Sequence, residues 1–444
     1  MQPYRRRLSF APVQVLLLAL AAPTYIPLTV SWNLTRLCNL KCAHCYIEAG
    51  ARADRSGELT PDEALGVLRQ IAEVNPQAVL ILTGGEPLLR ADIDALIRAA
   101  ADIGFWTVLG SHGGMLDGEV AERLVAAGLK GVGVSLDSVD PERHDAFRGI
   151  PGAFRRTSAA LEVMRGAGLP FLIEMTATRW NRHELAPMAE LAAARGATAL
   201  NVFFLVPTGR GASLNDLTPG DYEDALNQLA SLQEQYAGRL LVNAKCAPHY
   251  RRVLWERDHD STFVRTFHGG GCPAGTYYCR VTPDGDVTPC PYMPLSVGNL
   301  RQTRFAELWH ESTVLRQFRE ARRGGRCGEC EFGELCGGCR CRAYATTGDF
   351  LAEDRSCTYR PGAHGGASIP LPPERTYGAA EAGDMPWTEG ARLKMDAIPF
   401  FARGMVRRAV EGAARRRGVA VITEDVLQQI RENMKGRFPM RGAQ

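Results

Sequence analysis

The sequence predicts an α/β protein: a partial (β/α)6 TIM-like barrel, then a cysteine-rich segment, then a small helical module. Three observations predict it. Between Tyr25 and about Val206, short β-rich runs alternate six times with longer amphipathic stretches, the pattern of parallel βα units. Those six repeats occupy about 180 residues, too little chain for an eight-fold barrel. The cysteines, 13 in 444 residues, are absent from 46 to 245 and dense from Cys272 to Cys357, so a different principle of construction follows the barrel.

Each repeat has its own signals. YIPLTVSWNL (25–34) is the first strand candidate. TPDEALGVLRQIAEV (60–74) follows as a helix, with Thr60 as N-cap and Glu63 at the capping-box position. AVLILTGGEP (78–87) is a buried strand ending in a glycine turn, and Gly104 closes the next helix, 92–104. FWTVLGSHG, GVGVSLDS, PFLIEMTAT and ALNVFFLVPTG are the remaining strands, each preceded by a helical stretch. In barrels of this kind the loops after the strands carry the site. The cysteines at 38–45, GGEP (84–87), SHG (111–113), SLD (135–137) and VPTGRG (206–211) all fall there, which predicts one cleft.

The organisation expected is an N-terminal extension (1–24), the barrel (25–214), a mainly helical bridge (215–271), a cysteine-rich domain (272–360), a Pro/Gly/Ala linker (361–386) and a helical module (387–434). The cysteine-rich domain lacks hydrophobic periodicity, so metal rather than an apolar core is expected to hold it together. The first 23 residues have the basic start and apolar run of a secretory signal, but Pro12 and Gln14 interrupt a run too short to span a bilayer. An extension retained by a cytoplasmic protein is expected, with no stable membrane span. Net charge is +3, which excludes bulk nucleic-acid electrostatics. The exception is 388–444, with 12 Lys/Arg against 6 Asp/Glu.

Closely spaced cysteines in a long chain of ordinary core composition, 45% hydrophobic and 23% charged, read as thiolate metal ligands, not disulfides. Cys38, Cys42 and Cys45 form CxxxCxxC, and the next cysteine is Cys246. Four thiolates normally hold a cubane cluster. Three leave one iron open, which is where a substrate or cofactor binds. The rival is a zinc knuckle with His44 as fourth ligand.

With His44 before the last cysteine, Tyr46 after it and GGEP at the second strand end, the chain resembles the radical S-adenosylmethionine superfamily over about 25–360. The resemblance implies that the amino and carboxylate groups of S-adenosylmethionine fill the open iron of a 4Fe-4S cluster. It implies a radical that takes a hydrogen atom from an unactivated carbon, with an external electron donor such as flavodoxin or ferredoxin. It further implies cofactor contacts at His44, Tyr46, Gly84, Gly85, Glu86, Pro87, Ser135, Asp137 and Val206, with Glu86 accepting the cofactor's ammonium. Where the family often has Thr-Asn-Gly, this chain has Ser111-His112-Gly113.

The later cysteines resemble the SPASM auxiliary-cluster domain. The resemblance implies two closed 4Fe-4S clusters, one on Cys272, Cys279, Cys290 and Cys339 and one on Cys327, Cys330, Cys336 and Cys357. Cys246 and Cys341 are left over, and Cys341 competes with Cys339. A zinc ribbon is the rival for the second group. WNLTRLCNLKCAHCY, CAPHY (246–250) and the 336–357 stretch resemble radical enzymes of alternative-haem and dioxo-haem biosynthesis, which trim acetate or propionate from tetrapyrroles. This makes a tetrapyrrole the preferred substrate, Cys246 and His249 possible ligands to its iron, and Arg148, Arg179 and Arg210 candidates for its carboxylates. The module from Trp387 resembles a small domain of a light-independent protochlorophyllide reductase subunit, with Trp387 and the turn 398–401 as core and Thr423 as N-cap. Two alternatives stay open: a peptide-modifying SPASM maturase, and a non-enzymatic iron–sulfur electron carrier.

Overall fold

A computed structural model describes residues 25–214, 217–259, 264, 271–370, 385–396, 398 and 400–434. The extension at 1–24 and most of the linker lie outside them. Six strands fall where the periodicity puts them: β1 (Thr29–Asn33), β2 (Val79–Thr83), β3 (Trp106–Ser111), β4 (Val132–Ser135), β5 (Phe171–Ala177) and β6 (Ala199–Phe204). Successive strands pair in parallel, and helices run between them. Helix α1 (Pro61–Val74) starts on the expected capping box: the Glu63 amide donates to Thr60 Oγ1 (3.3 Å), and the Thr60 amide donates to Glu63 Oε2 (2.8 Å). Leu68 and Ile71 of α1 share one core with Val30, Trp32, Leu80 and Leu82 of the sheet.

Two sequence expectations are corrected. The bridge, read as helical, contributes β7 (Leu241–Lys245), which pairs in parallel with β6. Its sequence LVNAK conceals the strand because Asn243 and Lys245 line the barrel interior, where a polar residue serves a cavity and not a core. The cysteine-rich segment is not held apart from the apolar core either. Its first strand, β8 (Tyr278–Val281), pairs in parallel with β1, and β9 (Asp286–Thr288) and β10 (Gly298–Asn299) extend the sheet in antiparallel fashion. The result is one ten-stranded sheet, ordered β10-β9-β8-β1-β2-β3-β4-β5-β6-β7. Val281, Val287, Phe305, Trp309 and Phe332 belong to the barrel's own core.

The C-terminal module has a separate core of Trp387, Ala391, Met395, Val410, Ala414, Ile422 and Ile430. The Trp387 indole donates to Glu411 Oε1 (2.9 Å), and Thr423 accepts from the Val426 amide (3.3 Å). Of the turn 398–401, Ile398 packs against this core, and the other three side chains lie outside the description. Among the described residues no helix is long and apolar enough to cross a membrane.

Candidate functional site

The loop after β1 carries Cys38, Cys42 and Cys45, and all three line a cavity of about 2280 Å³ enclosed by the strands. The Cys38 amide donates to Gly50 O and the Gly50 amide to Arg36 O, both at 3.2 Å, closing the loop at its base. The Leu40 amide donates to Cys38 Sγ (3.4 Å) and Arg148 Nη1 to Cys42 Sγ (3.6 Å). Burial pushes the Cys38 thiol up to about 12, so a thiolate there needs a cation to hold it. Three cavity-facing thiols, two with N–H donors, suit a thiolate-bound iron–sulfur cluster. His44, the fourth ligand of the zinc-knuckle alternative, is engaged through its ring face. The ring stacks on Phe147 (4.6 Å, 9°), which stacks on Trp180 (5.0 Å), and burial lowers His44 to about 4, leaving it neutral.

The GGEP turn packs on this loop. A Cβ at Gly85 would lie 2.1 Å from Leu37 O, and one at Gly84, where φ is +148°, 2.7 Å from Thr35 O. The glycines therefore admit the backbone of the cysteine loop, while their own backbone lines the cavity. Glu86, read as accepting the cofactor's ammonium, makes its recorded contacts within the protein. It is fully buried and absent from the cavity lining; its carboxylate accepts from Ser111 Oγ (2.9 Å to each oxygen) and from the amides of His112 and Leu88 (3.2 Å each). Pro87 opens a short 3₁₀ turn behind it and does not reach the cavity. His112, in the place where the family resemblance was weakest, has a clear position. Its Nδ1 accepts from the Gly114 amide (2.9 Å), so the neutral ring carries its proton on Nε2, 2.8 Å from Asn39 Oδ1 and 3.1 Å from Glu86 Oε2. It ties the GGEP turn to the cysteine loop.

Ser135 and Val206 line the cavity; Asp137 does not. Its carboxylate meets Arg148 Nη2 at 2.5 Å and accepts from the Thr176 amide (2.9 Å). Burial works to raise the Asp137 carboxyl, but the Arg148 guanidinium and the Thr176 amide hold it below its ordinary value. Arg148 is thus a brace between Asp137 and Cys42. Arg210 is another: Nε donates to Cys42 O (2.8 Å) and Nη1 to Ala49 O (3.0 Å). Arg148 and Arg210 line the cavity while bracing the cysteine loop, and Arg179 is exposed and lies outside the lining. Tyr46 faces the auxiliary side, its hydroxyl accepting from Asn33 Nδ2 (2.8 Å) and its ring 5.0 Å from Tyr292.

The later cysteines gather into two groups, with one change of membership. Cys272, Cys290, Cys339 and Cys341 adjoin one another on the cavity wall. Hydrogen bonds from Cys339 and Cys341 pull the Cys272 thiol below its ordinary value, and Cys341 interacts with Cys272, Cys290 and Cys339. Cys246 joins them from the end of β7, in a left-handed backbone conformation (φ +56°). Cys279 is elsewhere. It sits on β8 within the barrel core, and burial and Arg319 alone shift it. The strand alternation that pairs Cys279 with Val30 turns it from the other thiols. Cys327, Cys330, Cys336 and Cys357 form the second group: Cys336 is influenced by Cys357 and Cys327, and Cys330 by Cys327. His249 is neither a surface residue nor a cavity ligand. It is buried, with Nε2 3.5 Å from Asp354.

Sequence reasoning named Ser135 but missed the other polar residues inside the barrel. Ser135, Glu174, Asn201 and Asn243 stand in register on β4, β5, β6 and β7, and Lys245 lies two residues beyond Asn243; all five line the cavity. Burial drives Glu174 up to about 7 and Lys245 below its ordinary value. The signal was available: each interrupts an apolar strand at an interior position.

Comparison with known proteins places these features. Residues 32–192 match the radical SAM superfamily model, 272–339 the SPASM iron–sulfur cluster-binding domain, and 387–431 the proto-chlorophyllide reductase 57 kD subunit. The chain is 42% identical over 350 residues to an AdoMet-dependent heme synthase of Methanosarcina barkeri, covering 77% of this chain and 99% of that protein. It is 33% identical to a pre-heme d1 synthase of Dinoroseobacter shibae, covering 74% and 85%. Its fold is similar to Streptococcus suis SuiB bound to S-adenosylmethionine, with a TM-score of 0.62 at 17% identity, covering 76% of this chain and 78% of that one.

Proposed function

From the premise that the chain belongs to the radical SAM enzymes with a SPASM domain, we propose that it decarboxylates or trims acid side chains of a haem-type tetrapyrrole. It is an enzyme, it uses iron–sulfur clusters and S-adenosylmethionine, and its role lies in haem-type cofactor biosynthesis. The observation that carries the finer reading is the near full-length similarity to the heme synthase, joined to a cavity of about 2280 Å³ that both the first thiol loop and the auxiliary thiols line.

When bound, the cluster and S-adenosylmethionine supply hydrogen-atom abstraction from an unactivated carbon. The chain's own residues bind, aim and exclude water. Cys38, Cys42 and Cys45 hold the first cluster; the backbone of Gly84 and Gly85, with His44, Ser135 and Val206, lines the place of the nucleotide cofactor. Glu86, His112, Asp137, Arg148 and Arg210 keep that loop in shape. Cys272, Cys290, Cys339 and Cys341 hold one auxiliary cluster, with Cys246 a fifth thiol beside it. Cys327, Cys330, Cys336 and Cys357 hold the other. An external one-electron donor of the flavodoxin or ferredoxin class completes the system.

The test is anaerobic turnover of the reconstituted protein with dithionite. Formation of 5′-deoxyadenosine stimulated by an iron porphyrin bearing propionates, and not by peptides, is expected. Stimulation by peptides alone would replace this reading with a peptide maturase, and no cleavage with any substrate would favour an electron carrier.

A further inference from the structure

A barrel interior filled for packing is apolar. This one carries a register-matched polar row, Ser135, Glu174, Asn201 and Asn243, across four adjacent strands. Asn243 Nδ2 reaches Asn201 Oδ1 at 3.3 Å. Gly133 leaves room for the acid, since a Cβ there would come within 2.9 Å of Glu174 Oε1. Lys245 stands above the row at the carboxyl end of β7, beside Cys246 on the auxiliary side of the cavity. No hydrogen bond or ion pair within 4.0 Å joins Lys245 to another described residue; Glu174 and the Cys246 thiol favour its charge at longer range, and Arg251 opposes it. A half-buried ammonium in a cavity wall, with no counterion close by, is placed to receive an anion. Nearby cations in the lining are engaged elsewhere: Arg148 with Asp137 and Cys42, Arg210 with the carbonyls of Cys42 and Ala49, and Arg251, which acts on Lys245 as a like charge, with Leu335 O (3.4 Å).

We propose that Lys245, flanked by Asn243 and Asn201, is a carboxylate anchor for the substrate, receiving one acid side chain of the ring while Glu174 serves as the internal counter-charge. This rests on the tetrapyrrole reading above and names the group that recognises such a substrate. A point charge with three donors on a flexible stem suits a single mobile propionate. Its place next to Cys246, which neighbours Cys339, Cys290 and Cys272, puts it on the auxiliary side of the cavity, which we assign to the substrate.

The experiment measures binding to the anaerobically reconstituted full chain, by Soret titration with iron coproporphyrin III and with its uncharged methyl ester. S-Adenosylmethionine binding is measured in parallel. Lys245→Met is expected to weaken the acid about ten- to hundredfold, the value of one charge-assisted hydrogen bond. It should leave the ester and the S-adenosylmethionine affinity within about twofold of wild type, and Lys245→Arg should recover most of the loss. Iron and sulfide contents equal to wild type establish that the variants fold. Equal weakening of acid and ester, or loss of S-adenosylmethionine binding instead, overturns the anchor. So does an unchanged acid affinity, which leaves the tetrapyrrole reading standing. If wild type binds neither porphyrin, the tetrapyrrole reading falls, and the anchor with it.

Discussion

Arg148 directs Nη1 at Cys42 Sγ across 3.6 Å while its other terminal nitrogen meets Asp137 at 2.5 Å. A buried cation that donates to a cluster-ligating thiolate stabilises the more negative, reduced state. Arg148→Met should therefore lower the reduction potential of the first cluster, by on the order of 50–100 mV, measured by redox titration with paramagnetic resonance detection. The variant also strands Asp137, fully buried, and should destabilise the chain by about 3–5 kcal/mol. Arg148→Met with Asp137→Asn should recover much of the stability and none of the potential.

Glu86 is the hub that joins the second and third strand ends to the cysteine loop. Glu86→Ala leaves the Ser111 hydroxyl and the His112 amide buried without their acceptor, a loss of about 3 kcal/mol or more. Glu86→Gln keeps an acceptor and should lose roughly half as much. Chemical denaturation of the reconstituted protein checks the order. Equal losses would mean that the carboxylate's charge, and not its acceptor geometry, matters.

The assignment of auxiliary thiols separates two cysteines that spacing alone does not. Cys341→Ala should perturb one cubane, lowering iron content by up to about four atoms, whereas Cys279→Ala should leave iron and sulfide unchanged and cost about 1 kcal/mol of core packing. Metal analysis of the two variants decides between them; the reverse pattern would restore the assignment that the SPASM resemblance implies.

Glu63 caps α1 and pairs with Arg301 Nε (2.6 Å) from beyond β10, linking barrel and auxiliary segment. Hydrogen bonding to Arg301 and to the Thr60 amide depresses the Glu63 carboxyl to about 2. A depressed carboxyl stabilises the fold above its unfolded value and loses that contribution as pH falls through the folded one. The stability gap between wild type and Glu63→Gln should be constant above about pH 5 and close between pH 4.5 and 2. At this degree of exposure it should be under about 1 kcal/mol. A gap that persists at pH 2 would show a contribution unrelated to charge.

The barrel was legible because its apolar strands and capped helices repeat with clear periods: the Thr60–Glu63 capping box and the six strand ends are local features. The first thiol loop was legible from spacing. What escaped depends on contacts distant in sequence. The Glu86 carboxylate takes the Ser111 hydroxyl at the end of β3, and Cys279 faces the core because β8 pairs with β1. Likewise β7 reads as loop because its polar residues are correct for a cavity and wrong for a core. His112 escaped for the same reason, its partner Asn39 lying 73 residues away.

The most direct test of the central claim is the fate of one hydrogen atom. Iron coproporphyrin III deuterated at the propionate β-carbons is turned over anaerobically, and 5′-deoxyadenosine is analysed by mass spectrometry. Deuterium in the 5′-deoxyadenosine, together with a decarboxylated porphyrin, is the predicted result. Unlabelled 5′-deoxyadenosine with an unaltered porphyrin would contradict it.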